Sequence, residues 1–177
     1  VTSIDEIICI VTELCRGIVA NPKSIIIKET STLHTINLRC YSHPEDTMKL
    51  VGKRGATAKA IEQIGEKMGS SLQMNVRFKV EPTERIQQSW LEYKPNADYL
   101  ADNELAILER IGKLIYDDGV TVNAVKVAND STALIMSSDV QFGKQYDKEL
   151  ETDLTTVFEA IGKNNGQNLY VEIGNNL

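Results

Sequence analysis

Two cations between two glycines, Gly52-Lys53-Arg54-Gly55, are the residues of this 177-residue chain best placed to do chemistry, and the chemistry they suit is the holding of a phosphate. Neither glycine carries a Cβ, so the backbone can turn sharply there and bring its amides close to an anion. Lys53 and Arg54 then project from the tip. The following run, Ala56-Thr57-Ala58-Lys59-Ala60-Ile61, is strong helix-forming sequence. The turn therefore precedes a helix N-terminus, where unpaired N–H groups and the macrodipole favour negative charge. Lys49 and Lys59 flank it and extend its positive field.

Nothing else in the chain arranges groups for catalysis. The P-loop pattern GxxxxGK[ST] is absent, and no strand leads directly into the glycine turn, so nucleotide hydrolysis is not expected. His34 and His43 have no cysteine or serine partner at a recognisable spacing; a surface strand position and a helix-cap neighbour are the expected roles. Cys9 and Cys15 fall on a predicted helix and Cys40 on a predicted strand, with no CxxC, which reads as reduced, mostly buried thiols rather than a zinc site. The acids after Tyr146 read as a solvated helix face. We expect no catalytic residue, no metal and no cofactor.

The elements that must position the turn follow from periodicity. Ile4, Ile7, Ile8, Val11, Leu14, Cys15 and Ile18 recur at helical spacing, with Ser3 and Glu6 as a capping box and Asn21-Pro22 as the stop. Ser24 to Glu29 and Thr32 to Tyr41 form a hairpin about Thr30-Ser31, with Ile36, Leu38 and Cys40 on one side. Pro44, at the first helical position, and the acids Glu45 and Asp46 open a short helix through Leu50 into the glycine turn. A second helix runs to about Met68 with Ile61, Ile64 and Met68 inward. Leu72 to Val80 alternates as a strand. The order is helix, strand, strand, helix, helix, strand.

The run His43-Pro44-Glu45-Asp46-Thr47-Met48-Lys49-Leu50-Val51-Gly52-Lys53-Arg54-Gly55 resembles the KH domain, and in particular the small bacterial KhpA-type RNA-binding proteins, over about residues 1–82. The order of elements is that of the type II KH fold. The resemblance implies that the loop clamps about four nucleotides of a single strand. Single-stranded RNA, with single-stranded DNA as the alternative guest, would lie between the two helices and the sheet edge. The amides of Gly52 to Gly55 would turn its backbone, and Lys53 and Arg54 would pair with phosphates. Lys49 and Lys59 would attract at longer range, Val51, Ala56 and Ile61 would supply groove or packing surface, and Arg39 is a candidate reader of base edges.

Beyond a connector at 83–102, containing Pro82's neighbour Thr83, Pro95 and the single Trp90, the same order of elements begins again. Trp90, Leu91 and Tyr93 are expected to pack the connector onto the domains rather than to stack on bases. Leu105, Leu108, Ile111 and Ile115 give a helix, Val120 to Ala128 and Thr132 to Met136 a hairpin, Leu150 to Ile161 a longer helix, and Leu169 to Ile173 a strand. Ile161-Gly162 matches Ile64-Gly65, so the expected fold is α+β: tandem type II KH-like units of order αββααβ, each a three-stranded sheet with helices on one face. The best match to the glycine turn in 103–177 is Gly143-Lys144-Gln145-Tyr146, where Tyr146 replaces the second glycine and acids follow. This second unit is expected to be a degenerate KH-like domain without phosphate clamping.

Charge divides the same way. Residues 1–83 hold seven Lys and four Arg against nine acids, a net of +2, whereas residues 84–177 hold eight basic residues against sixteen acids, a net of −8. Only the first part suits a polyanion. The acidic second part suggests a different role, docking a protein partner or forming a homo-oligomer, with RNA binding secondary. No apolar run approaches the roughly 20 residues of a membrane span, and acids occupy the region where a secretory signal would be basic, so a cytoplasmic setting is expected.

Overall fold

The computed structural model describes residues 3–82, 102–116, 119–127, 130–138 and 144–175. The first half is helix α1 (Ser3–Ile18), strands β1 (Ile26–Ser31) and β2 (Thr35–Ser42), the short helix α2 (Thr47–Val51), helix α3 (Ala56–Ser70) and strand β3 (Asn75–Pro82). The sheet order is β1-β2-β3, with β1 antiparallel and β3 parallel to the central strand. This is the αββααβ order expected. The second half contains α4 (Asp102–Tyr116), β4 (Val120–Val127), β5 (Ser131–Ser138), α5 (Lys144–Asn164) and β6 (Asn168–Asn175), with the same sheet order and the same parallel pairing of its last two strands. The fold is α+β, built from two KH-type units. The connector and its Trp90 lie outside the described residues.

Alternation decides which side of each sheet is covered. Ile36, Leu38 and Cys40 of β2 and Val76 and Phe78 of β3 are buried on the helix side, as are Leu134, Met136 and Val171 in the second sheet. The helices of the two halves then pack on one another, α3 and α1 against both α5 and α4. One continuous hydrophobic core results, from Ile7 and Leu14 through Ile61 and Met68 to Leu154, Phe158 and Ile161. Helix α1 is consequently buried over a wider arc than a single sheet requires, and Ile10 and Gly17 join the expected stripe.

Polar contacts tie the halves together. Arg110 Nε donates to Glu6 Oε1 at 2.7 Å, Asn164 Nδ2 donates to the carbonyls of Gly17 and Val19 at 3.0 and 2.9 Å, and Lys67 Nζ lies 3.7 Å from Glu149 Oε2. Cys15 and Cys40 are buried free thiols, and Cys15 hydrogen-bonds Cys40, which with burial pushes its pKa up. Cys9 is the exposed one of the three.

Several boundaries move from their expected places. The first hairpin turns at Thr32-Leu33-His34, where Thr32 N–H donates to Thr35 O at 2.8 Å, not at Thr30-Ser31, so His34 sits in a turn. Polar Thr30 and Ser31 are tolerated in β1 because they lie on an exposed outer strand. Residues 44–46 make a turn and α2 begins only at Thr47. Strand β3 begins at Asn75, because Gln73 takes a left-handed φ of 55° and breaks the alternation that Leu72 and Met74 suggested.

The internal match also shifts. Gly69 accepts at its carbonyl from Met74 N–H, and a Cβ there would meet Met74 O at 2.8 Å; Gly162 does the same with Gln167, at 2.7 Å. Left-handed Gln73 pairs with left-handed Gly166, and Val76 with Leu169. The counterpart of Ile161-Gly162 is therefore Met68-Gly69 rather than Ile64-Gly65. Followed back along the helices, this match sets Glu62, which accepts from the Phe78 N–H at 3.0 Å, beside Thr155, which accepts from the Val171 N–H at 3.1 Å.

Candidate nucleic-acid interface

The glycine turn is built by the failure of α2 to continue. Gly52 takes φ 78° and ψ 175°, and its N–H caps the helix on Met48 O at 2.9 Å. Extended backbone at positive φ is open essentially to glycine alone. Lys53, Arg54 and Gly55 then make one 3-10 turn, with Gly55 N–H on Gly52 O at 3.2 Å, and Arg54 (φ 56°) and Gly55 (φ 75°) are both left-handed. Helix α3 starts immediately at Ala56.

The two glycines serve different ends. A Cβ on Gly52 would fall 2.3 Å from Thr57 Oγ1 and 2.8 Å from Thr57 N, so this glycine is needed for α2 and α3 to meet. A Cβ on Gly55 would meet nothing within 4 Å. That side of the turn is open. Lys53 and Arg54 are exposed, and among the described residues their amides donate to no carbonyl, leaving two N–H groups and two cations at one tip.

A buried carboxylate holds this assembly on the sheet. Asp46 accepts from the N–H of Ala20 (3.1 Å) and from both the N–H (2.9 Å) and the side-chain amide (2.6 Å) of Asn21. Asp46 thus pins the entry to α2 onto the segment after α1, a tertiary contact where a first-turn acid was expected. Lys49 Nζ lies 3.7 Å from the same carboxylate, which reduces the positive field it can lend to a ligand.

The expected site residues divide into two groups. Lys49, Val51, Gly52, Lys53, Arg54, Gly55, Ala56 and Lys59 are gathered along α2, the turn and the first turns of α3. Val51 is half-buried and Ala56 exposed, whereas Ile61 is buried in the core and supplies packing rather than groove surface. Lys59 stands at helical spacing from Gln63 and Lys67, and its charge, with that of Lys67, opposes the rise in the Asp153 pKa that burial drives to about 6. It therefore serves the contact with α5 as well as the turn. Arg39 is elsewhere. It is exposed on the sheet face turned away from the helices, 3.6 Å from Glu81. Sequence reasoning gave no role to Met48, whose side chain is 72% exposed one helical turn before Gly52 and supplies apolar surface beside the tip. A methionine at a short helix end reads equally as core, and nothing in the sequence separates the two.

In the second half the same place is helical. The counterparts of Gly52–Gly55 are residues 145–148, which lie inside the 21-residue helix α5, and Lys144 of the expected Gly143-Lys144-Gln145-Tyr146 match is its first residue. Among the described residues a helix stands where the first unit has its glycine turn, and the described order is αββαβ.

A three-stranded sheet whose last strand runs parallel to the central one, two helices meeting at a GxxG turn, and a third helix behind them define a type II KH domain. Comparison with known proteins agrees: residues 9–80 match the KH domain of the KhpA/KhpB family. The protein named RNA-binding protein KhpA from Halalkalibacterium halodurans is 25% identical over 71 residues, which are 40% of this chain and 93% of that relative. The first unit is therefore a KhpA-like KH domain.

Proposed function

We propose that this protein binds single-stranded RNA through the Gly52–Gly55 turn of its first unit and performs no chemistry on it. The observation that carries the reading is the pairing of two exposed cations with two unpartnered amides at a turn whose open side, at Gly55, admits a ligand. Phosphates would meet Lys53 and Arg54 and the amides between the glycines, while bases rest on Met48, Val51 and Ala56. The name of the KhpA relative points to the same class of ligand. Residues 1–82 act as the RNA-binding domain, and residues 103–177 as a diverged KH-like unit in which α5 runs through the place of the clamp.

The competing idea of an acidic docking unit is weakened by where its acids lie. Glu149 pairs with Lys67, and Asp153 is partly withdrawn from water against α3, so part of the acidic run braces the first unit. The test is fluorescence anisotropy with short single-stranded RNA and matched DNA over a salt series, comparing the native protein with a folded Lys53→Asp/Arg54→Asp variant. Binding that weakens with salt and falls at least about tenfold in the variant supports the reading. Equal binding by both proteins, or none by the native protein at low salt, overturns it.

A further inference from the structure

We infer that the open face of the first sheet is a second contact surface for the same single strand, a conclusion that extends the RNA-binding reading to a face remote from the helices. The register sets Lys28, Arg39 and Lys79 side by side across all three strands. Arg77 stands in the next row, on the same face, opposite Asn37. All four cations are exposed. Strands lie about 4.8 Å apart, so the row of three spans about 10 Å.

Like charges directly opposite one another destabilise a sheet. The arrangement is only partly compensated: Arg39 has Glu81 at 3.6 Å and Lys28 Nζ stands 5.5 Å from the centroid of the Tyr41 ring. Glu62, at the rim of this face, already accepts the Phe78 N–H. Among the described residues no acid reaches ion-pair distance of Arg77 or Lys79.

The fold does not require these cations, and the second unit proves the point from within the chain. There the corresponding row is Asn123, Ile135 and Glu172, and Tyr170 stands in the place of Arg77. The same sheet, with the same register, carries no cation on that face. Basic character on the first sheet alone therefore answers to something outside the fold.

The composition of the face selects the partner. Tyr41 lies one row from the cations, paired with Ile26, which is 39% exposed, and Glu81. Cations interleaved with an aromatic ring and an apolar neighbour suit a single-stranded nucleic acid, whose phosphates and base faces need both kinds of contact. An acidic protein segment would use the cations and leave the ring without a role.

The experiment uses the full chain with a strand of about five nucleotides, enough for the turn alone, and one of about twenty. Four proteins are compared: native, Lys53→Asp/Arg54→Asp, Arg39→Glu/Lys79→Glu, and the milder Lys28→Gln/Lys79→Gln, each checked for native circular dichroism. The sheet variants are expected to bind the long strand about tenfold more weakly, with a salt slope smaller by about 1.4, and to hold the short strand as the native protein does. If both sheet variants bind the long strand like the native protein while the turn variant does not, the inference is overturned and the function proposed for the turn stands. If only the sheet variants lose the long strand, the inference holds and the assignment to the turn fails. Sedimentation supplies the remaining outcome: native self-association abolished in the sheet variants, with RNA binding intact, would assign the face to a second copy of the chain and overturn the inference.

Discussion

Asn21 donates twice to Asp46, from its backbone and its side chain, and so fastens the segment that follows α1 to the residue that precedes α2. The contact is buried, and both partners are 1% exposed or less. Hydrogen bonds to a charged acceptor contribute about 1.5–3 kcal/mol each, and a buried donor left unmatched adds a penalty. Asp46→Ala is expected to destabilise the protein by about 3 kcal/mol, read as a lower urea midpoint with unchanged slope. Under conditions where the variant remains folded, its RNA affinity should also fall, because α2 and the turn lose their anchor. An unchanged midpoint would show that this contact does not hold the turn in place.

Gly52 and Gly55 are expected to separate stability from binding. Gly52→Ala forces a Cβ against Thr57 and gives a side chain to a backbone at φ 78°, ψ 175°; a loss of about 2–3 kcal/mol should follow. Gly55→Ala meets open space and retains only the left-handed penalty, about 1 kcal/mol. Thermal denaturation of the two variants ranks them. Equal melting temperatures would mean that Thr57 yields without cost. Gly55→Asp, which should also fold, puts a like charge where a phosphate would approach and is expected to weaken RNA binding at low salt.

The turn was legible because its chemistry is local: glycines, cations and a helix-forming run are adjacent in sequence. The helical stripe of α1 and the core side of β2 were legible for a similar reason, since burial on one side imposes a period. What sequence hid was set by tertiary contact. Ile10 is buried because the second unit covers α1. Asp46 reads as a first-turn acid and instead reaches back to Asn21. Arg39 reads as a strand residue that could reach base edges, and only the register shows it beside Lys28 and Lys79 on the face turned away from the helices. The mistaken match of Gly162 with Gly65 has the same origin, because two helix glycines look alike until their neighbours, Gln167 and Met74, are known.

The shared core predicts that the first unit does not stand alone in this protein. A fragment of residues 1–82 would expose the surfaces of α1 and α3 that pack on α4 and α5, and would lose the partners of Glu6 and Lys67. Large contiguous apolar surface drives association or unfolding. Sedimentation of the fragment should show self-association, or circular dichroism a melting temperature at least about 10 °C below that of the full chain. A monomeric fragment as stable as the parent would mean that the packing between units adds little to the fold.

Glu104 supplies a prediction in which pH reports on the second unit. It lies in the first turn of α4, is 3% exposed, and one of its oxygens, Oε1, has no hydrogen-bond partner. Burial raises its pKa from 4.5 to about 7. Between those values the folded protein holds a proton that the unfolded chain has released, so stability is greatest near pH 4.5 and declines as pH rises to about 7. The full decline from this group is about 3 kcal/mol. Asp153, raised to about 6, acts with the same sign, whereas Glu6, lowered by Arg110, loses its contribution only as pH falls below 4.5, outside this window. Urea denaturation at pH 5 and pH 8 should therefore show the native protein weaker at pH 8. Glu104→Gln, which cannot ionise, should remove most of that difference and leave the part due to Asp153. A native protein equally stable at both values would show that Glu104 reaches solvent or a partner when ionised, and the desolvation argument would fail at this position.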